Sequence, residues 1–248
     1  MGNNSKKTQG SVTIKPYKKD VDYSYTLGAF PTIELIKCRP DIVTKVLIHS
    51  TFTDKETVEV LCKKHGIPVE YNDKQIARLS DKENCFVVGI FHKYTGKLNP
   101  KKSHLVLVNP SNMGNLGTII RTAVGFGIYD LGIITPCADV FNPKTVRSSM
   151  GSLFRLNLQM FSSYEEYEKE HKDHEAFCFM LNKDKTKTLA ECKKPELFSL
   201  VFGNEATGLP EQFLQVGTSV MIPQSPDVDS LNLTIAVGVG LYTFTHEK

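Results

Sequence analysis

The strongest constraint in this 248-residue sequence is the run Leu105-Val106-Leu107-Val108, which passes directly into the polar turn Asn109-Pro110-Ser111-Asn112-Met113-Gly114. Four consecutive apolar residues do not suit a strand with one wet face. They suit a central parallel strand covered on both sides. Leu116, Ile119, Ile120, Ala123 and Val124 then share one stripe of a helix. Further extended runs at 131–135, 176–181, 197–202 and 219–222 predict a mostly parallel sheet covered by helices, with ligands expected at the carboxyl ends of its strands. The closing segment fits two periods. Leu231, Leu233, Ile235, Val237, Val239 and Leu241 alternate as a strand would, whereas Leu233, Ala236, Val237, Gly240, Leu241 and Phe244 fit a helix. Asp229 or Ser230 as an N-cap favours the helix.

Upstream the pattern is a smaller α/β unit. Lys45-Val46-Leu47-Ile48 reads as a strand, and Thr53 with Glu56 has capping-box spacing ahead of a helix that Gly66 ends. Residues 67–71 and 85–90 read as strands on either side of a short helix at 75–79. The basic stretch 92–103, punctuated by Gly and Pro, is the expected boundary. The chain thus divides into a basic flexible arm (1–20), a small α/β unit (21–98) and a larger α/β domain (104–248).

Charge follows the same division. Residues 1–103 hold 18 Lys and Arg against 11 Asp and Glu, while residues 104–248 hold 12 against 16. A basic first half suits a polyanionic partner, although a solvated lysine-rich surface reads the same way. Cys38, Cys62, Cys85, Cys137, Cys178 and Cys192 are scattered, with no C-x-x-C pair and no histidine at ligand spacing. Neither a disulfide framework nor a metal site is expected, and reduced thiols point to the cytoplasm. No apolar run approaches the ~18–20 residues of a membrane span, and the N-terminus has no apolar signal-peptide core.

Three loops carry the chemistry. In the first, Asn112 and Asn115 stand near a helix start and Arg121, one of five arginines, lies two turns on. Gly117 and Gly125 flank Arg121 at i−4 and i+4; each glycine costs ~1 kcal/mol against alanine in a helix, as if something large approaches there. The plainer reading is an exposed arginine on a weak helix face. The second loop is Phe202-Gly203-Asn204-Glu205-Ala206-Thr207-Gly208-Leu209, a buried strand entering a glycine-bracketed turn with one carboxylate. Gly203 would admit a ligand and Gly208 a positive φ. Glu205 could hold a substrate or an arginine, or simply be a helix-entry acid. The third is Ile222-Pro223-Gln224-Ser225-Pro226-Asp227-Val228-Asp229-Ser230-Leu231-Asn232, a proline-stiffened loop feeding the last segment. Capping explains Asp229 or Ser230 but leaves Asn232 over.

In order and spacing, N-x-G-N-x-G-x-x-x-R-T-A, F-G-N-E-x-x-G-L and I-P…S-L-N resemble the three motifs of the SpoU-type (TrmH-like) 2′-O-ribose RNA methyltransferases of the SPOUT superfamily. The stretch Arg147-Ser148-Ser149-Met150-Gly151-Ser152-Leu153-Phe154 is similar to a fourth, weaker pattern of that family. Ser111, Ala206 and Gln224 depart from the common residues. The resemblance implies a parallel sheet with a deep trefoil knot, S-adenosylmethionine (SAM) bound at Phe202, Gly203, Ile222, Pro223 and Leu231, and a homodimer. It places Asn115, Arg121, Glu205, Ser230 and Asn232 around the transferred methyl, and Asn112, Arg147 and Ser149 along the RNA.

A guanidinium stays protonated in proteins and cannot accept a proton. Arg121 is therefore expected to clamp a phosphate and stabilise the forming alkoxide. Asn115 and Glu205 would orient it, and Ser230 and Asn232 would hold SAM and the ribose. The arm and the 21–98 unit would add phosphate contacts separable from SAM binding, to rRNA more than to tRNA. Three alternatives are a non-catalytic RNA-binding protein of this fold, a base methyltransferase of the superfamily, and a nucleotide-dependent oxidoreductase. The last lacks a G-x-G-x-x-G fingerprint.

Overall fold

A computed structural model describes residues 15–80, 82, 84–181 and 186–246. They form two sheets. The first contains β1 (Tyr23–Leu27), β2 (Val43–Ile48), β3 (Val69–Tyr71) and β4 (Val87–His92), in the order β1-β4-β2-β3, with α1 (Ala29–Cys38), α2 (Lys55–His65) and α3 (Asp73–Leu79). β4 runs antiparallel to β1 and β2, and β3 runs parallel to β2. Gly66 ends α2 as expected, at φ 68° with its N–H on the last carbonyls. The Thr53–Glu56 capping box does not form. Asp54 takes the N-cap position instead and accepts a bond from Thr57 Oγ1 at 2.8 Å.

The second sheet is parallel at every pairing. In chain order it comprises β5 (His104–Val108), α4 (Met113–Gly125), β6 (Asp130–Ile134), α5 (Pro143–Ser148), β7 (Asn157–Phe161), α6 (Tyr164–Glu170), β8 (Glu175–Phe179), β9 (Lys187–Thr188), β10 (Phe198–Phe202), β11 (Thr218–Met221) and α7 (Leu233–His246). The strand order is β7-β6-β5-β10-β8-β11-β9. Every residue of β5, β6 and β10 is buried, the consequence of apolar runs covered on both faces. The closing segment is a helix. Its cap is Asn232, neither Asp229 nor Ser230: the side-chain Oδ1 accepts from Thr234 N at 2.8 Å and from Thr234 Oγ1 at 2.7 Å.

Residues 93–103 are not a loose linker. Gly96 N donates to Leu158 O at 2.7 Å, Leu98 N to Gln159 Oε1 at 3.0 Å and Asn99 N to Asp130 Oδ1 at 2.7 Å. The segment covers β7, the outer strand of the parallel sheet, whose edge would otherwise stand open. The two sheets also share a core, since Leu35, Ile36, Val46 and Phe91 belong to the same buried cluster as Leu105, Phe141 and Phe154. Phe91 meets Phe154 edge-on at 5.1 Å. Arg39 fastens the junction by donating to Phe154 O at 3.1 Å and Leu156 O at 3.0 Å while lying 4.6 Å over the Tyr94 ring. Arg155 pairs with Glu34 beside it.

Residues 1–14 of the expected arm lie outside the described residues. Its last part is held down: Tyr17 donates to the Asp139 carboxylate, and the Lys15 carbonyl accepts from Tyr25. All six cysteines are free thiols. No described helix is long and apolar enough to cross a membrane.

Candidate active site

The three loops singled out in the sequence leave the carboxyl ends of β5, β10 and β11, and β5 and β10 are neighbours in the sheet. Leaving β5, the chain reverses at Asn109, which adopts a left-handed φ of 52°. Asparagine tolerates that region better than a branched residue does. Asn204, leaving β10, donates through Nδ2 to the Asn109 carbonyl at 2.8 Å and thereby ties one turn to the other. Its Oδ1 accepts from Ala206 N at 2.8 Å, so a single side chain also shapes its own turn.

Glu205 completes the junction. Its Oε2 accepts from Ser111 N at 3.0 Å and Ser111 Oγ at 2.8 Å, and its Oε1 from Asn112 N at 3.1 Å and Asn115 Nδ2 at 3.4 Å. Burial alone would raise this carboxyl, but the bonds from Ser111 and Asn112 outweigh it and hold Glu205 below the usual carboxylate range. Glu205 therefore stays ionised at neutral pH. It anchors the start of α4, where Asn112 Oδ1 caps the helix from Gly114 N at 2.9 Å and Asn115 N at 3.1 Å.

Two glycines serve purposes other than those expected. A Cβ on Gly203 would overlap Gly208 C and O and Leu209 N, so the close approach there is made by the chain's own returning loop and not by a ligand. That loop closes through Asn204 and Gly208, whose N–H groups donate to each other's carbonyls at 3.2 and 2.9 Å, and Gly208 has φ 66°. A Cβ on Gly117 would run into Ser148 Oγ and lie 2.6 Å from Thr145 O, so Gly117 lets α5 cross α4 closely. Gly125 faces open space. The two glycines around Arg121 thus mark no shared approach surface.

Between the second and third loops lies a cleft of about 490 Å³. Its floor is apolar, with Phe179 and Phe202 stacked at 4.1 Å and Val220, Ile222 and Leu231 beside them. α7 presses on that floor from behind through Gly240, where a Cβ would come within 2.8 Å of Phe179 Cζ and 3.0 Å of Phe202 Cζ. Gln224 closes the third loop, donating to Asp229 O at 3.2 Å. Among the described residues, the charged ones lining the cleft are Glu205 and Glu211, with no Lys, Arg or His.

Of the predicted site residues, Phe202, Gly203, Glu205, Ile222, Ser230 and Leu231 line this cleft, whereas Pro223 and Asn232 do not. Asn115 is half-buried and reaches Glu205. Arg121 is exposed on α4 and makes no hydrogen bond or ion pair among the described residues. The expectation that Glu205 orients Arg121 is corrected, because the carboxylate is occupied by the first loop. Arg147 is half-buried on α5. Ser149 is corrected as well: it is 0% exposed and its hydroxyl donates to Val146 O at 2.7 Å, so it faces no RNA. Sequence reasoning overlooked Asn204 and Ser111. The signal for Asn204 was present in the F-G-N-E motif, but only tertiary structure pairs it with Asn109.

In a parallel α/β sheet, loops gathered at the carboxyl edge around an acidic, apolar-floored cleft stand where such folds bind ligands. The SpoU rRNA methylase family model matches residues 102–242, more than half of the chain, and the protein belongs to that family. Over 139 residues it is 37% identical to an uncharacterized tRNA/rRNA methyltransferase of Synechocystis, a match covering 56% of this chain and 51% of that one. Over 157 residues it is 27% identical to the 23S rRNA (guanosine(2553)-2′-O)-methyltransferase of Bacillus subtilis, covering 63% of each. The chain thus spans less than two thirds of either relative. An AdoMet-bound rRNA methyltransferase from Sinorhizobium meliloti superposes with a TM-score of 0.76 at 25% identity, over 90% of this chain and 86% of that one.

Proposed function

We propose that this protein uses SAM to methylate the 2′-hydroxyl of a ribose in RNA, with rRNA as the substrate class. The observation that carries the proposal is the cleft between the second and third loops, joined by Glu205 and Asn204 to the start of the Arg121 helix. Its lining suits SAM chemically. A flat aromatic floor accommodates an adenine. Glu205 and Glu211, the charged residues lining the cleft among those described, favour a ligand bearing a sulfonium and an ammonium. When bound, SAM supplies a methyl already activated for displacement.

The chain's own residues then have to orient and to stabilise. Phe202, Gly203, Ile222, Leu231 and Ser230 bind and shield one side of the cleft. Glu205 fixes the first loop, so that α4 starts at a set position beside it. Arg121, exposed and without a partner among the described residues, is placed to take an RNA phosphate and to stabilise negative charge forming on the ribose oxygen. Holding reacting atoms ~3–3.5 Å apart in line lowers the barrier without a new covalent step. No histidine lies in the three motifs or among the described residues lining the cleft, which argues against an imidazole base. Arg147 and the basic residues of the first half supply phosphate contacts.

The trefoil knot belongs to the same reading. It is supported by the placement of β10 between β5 and β8 while α7 returns to pack on α4. So does a homodimer, for which Ile235 (55% exposed) and Tyr242 (53% exposed) on α7 offer an apolar face. Free thiols fit the cytoplasm. The division into a 21–98 unit and a 104–248 domain is read here as two units that share a buried core. Calorimetry with SAM and with NAD, followed by ribose-methylation mapping of RNA with and without the protein, tests the proposal. Heat with SAM only and a gained 2′-O-methyl are expected. Binding of NAD in preference, or a methyl found on a base, refutes it.

A further inference from the structure

The opposite edge of the parallel sheet holds a cluster that the methyl-transfer reading does not use. His104 begins β5, and His171 and His174 lie in the turn between α6 and β8. One nitrogen from each ring lies within 4.8 Å of the other two. The His104 and His174 rings stack at 4.1 Å, and His171 meets His104 edge-on at 4.6 Å. The expectation of no histidine at ligand spacing is thereby corrected, since His171 and His174 are three residues apart and the fold supplies the third ring.

The hydrogen bonds show which nitrogens are available. His104 Nε2 faces the Asn99 carbonyl at 2.9 Å and must donate, so its Nδ1 is the lone pair, set 2.9 Å from the Tyr167 hydroxyl. His174 Nε2 likewise donates to Lys102 O at 2.8 Å, which leaves Nδ1 a lone pair, buried and without a partner. His171 is 6% exposed, and neither of its ring nitrogens has a partner. A neutral imidazole with both nitrogens buried and unpaired is uncommon in a folded protein and needs an explanation.

We infer that His104, His171 and His174 bind one Zn²⁺ ion, which fastens the α6–β8 turn to the start of β5. Three imidazoles can hold zinc with a water in the fourth position, although sites that only fasten a fold are usually closed by four protein ligands. With Zn–N bonds of ~2.0–2.1 Å the three nitrogens must draw from within 4.8 Å to about 3.3 Å of one another. The stacked His104 and His174 rings must pivot apart so that their lone pairs converge on one point. Two of the three ligands stand in a short turn that can make this adjustment. Tyr167 keeps Ser199 as its hydrogen-bond partner when the His104 lone pair turns to the ion. Asp130 and Glu170 act on His171 as nearby negative charges and offset the dication. The site lies about 17 Å along β5 from the Asn109 turn, taking ~3.3 Å per residue.

The test uses the untagged full chain, stripped with chelator and titrated with Zn²⁺, then with Co²⁺ as a spectroscopic probe. One equivalent should bind, with visible Co²⁺ bands typical of tetrahedral nitrogen and oxygen ligands and no thiolate charge-transfer band. At a hundredfold excess over Kd the melting temperature should rise by about 5–10 °C. His174→Ala, a half-exposed position, and the double variant His171→Ala/His174→Ala should each weaken binding more than about 100-fold, beyond the 10–100-fold that outer partners alone contribute. Undiminished binding in His174→Ala, a thiolate spectrum, or no stoichiometric uptake by the wild type overturns the inference.

Discussion

Glu205→Gln tests whether the carboxylate is the hub of the site. Four hydrogen bonds converge on it, from Ser111 N, Ser111 Oγ, Asn112 N and Asn115 Nδ2. Glutamine keeps one acceptor oxygen. If that oxygen retains the Ser111 pair, the new amide N–H₂ points at the Asn112 N–H and the Asn115 amide, donor against donor. Bonds to a charged acceptor contribute about 1.5–3 kcal/mol where buried, and the partial exposure of this site reduces that figure. A net loss of about 2 kcal/mol at pH 7 is expected, or about 4–8 °C in melting temperature for a chain of this length. Because the folded carboxyl is held below the usual range, its contribution is complete above the unfolded pKa of about 4.3 and disappears as pH falls through the folded value. Urea melts of wild type and variant from pH 8 to pH 3 should show a constant gap down to about pH 5 that closes in acid. A gap that widens in acid, or no gap at pH 7, would show that Glu205 does not organise the first loop.

Three further substitutions separate binding, chemistry and architecture. Arg121→Ala should leave melting and SAM affinity unchanged, because the side chain has no partner among the described residues, while lowering turnover by about 10²–10³-fold in a methyl-transfer assay. Gly203→Ala must push the 208–209 backbone aside, at a cost of about 1–3 kcal/mol, and should weaken SAM binding at least about tenfold in calorimetry. Arg39→Ala removes two bonds to carbonyls of the parallel-sheet unit and the stack on Tyr94; a loss of about 2–3 kcal/mol in urea melts, with the cleft still competent for SAM, is the expected pattern.

The strands of the second sheet were legible because burial on both faces writes itself as apolar runs, as at 105–108 and 198–202. β1, β7 and the helix α1 escaped notice because their patterns are mixed: β7 reads Asn-Leu-Gln-Met-Phe and depends on the 93–103 segment for its cover. How tightly the two units would pack was hidden for a related reason. Composition records a basic, punctuated stretch at 92–103, but it cannot record that Phe91 and Phe154 meet across it. Deleting the first 98 residues would therefore uncover Phe141 and Phe154, and it is a poor way to separate RNA binding from SAM binding.

In the site itself, residue types identified the loops, while the partners came only from the fold. Glu205 was expected to hold an arginine, yet the sheet places β5 beside β10, so the nearest unsatisfied donors are the peptide groups at Ser111 and Asn112. A carboxylate takes the donors that topology brings to it. The same rule explains the histidines: nothing in the spacing of position 104 relative to 171 and 174 announces a cluster, because the connection runs through the neighbouring strands β5, β10 and β8 and not along the chain.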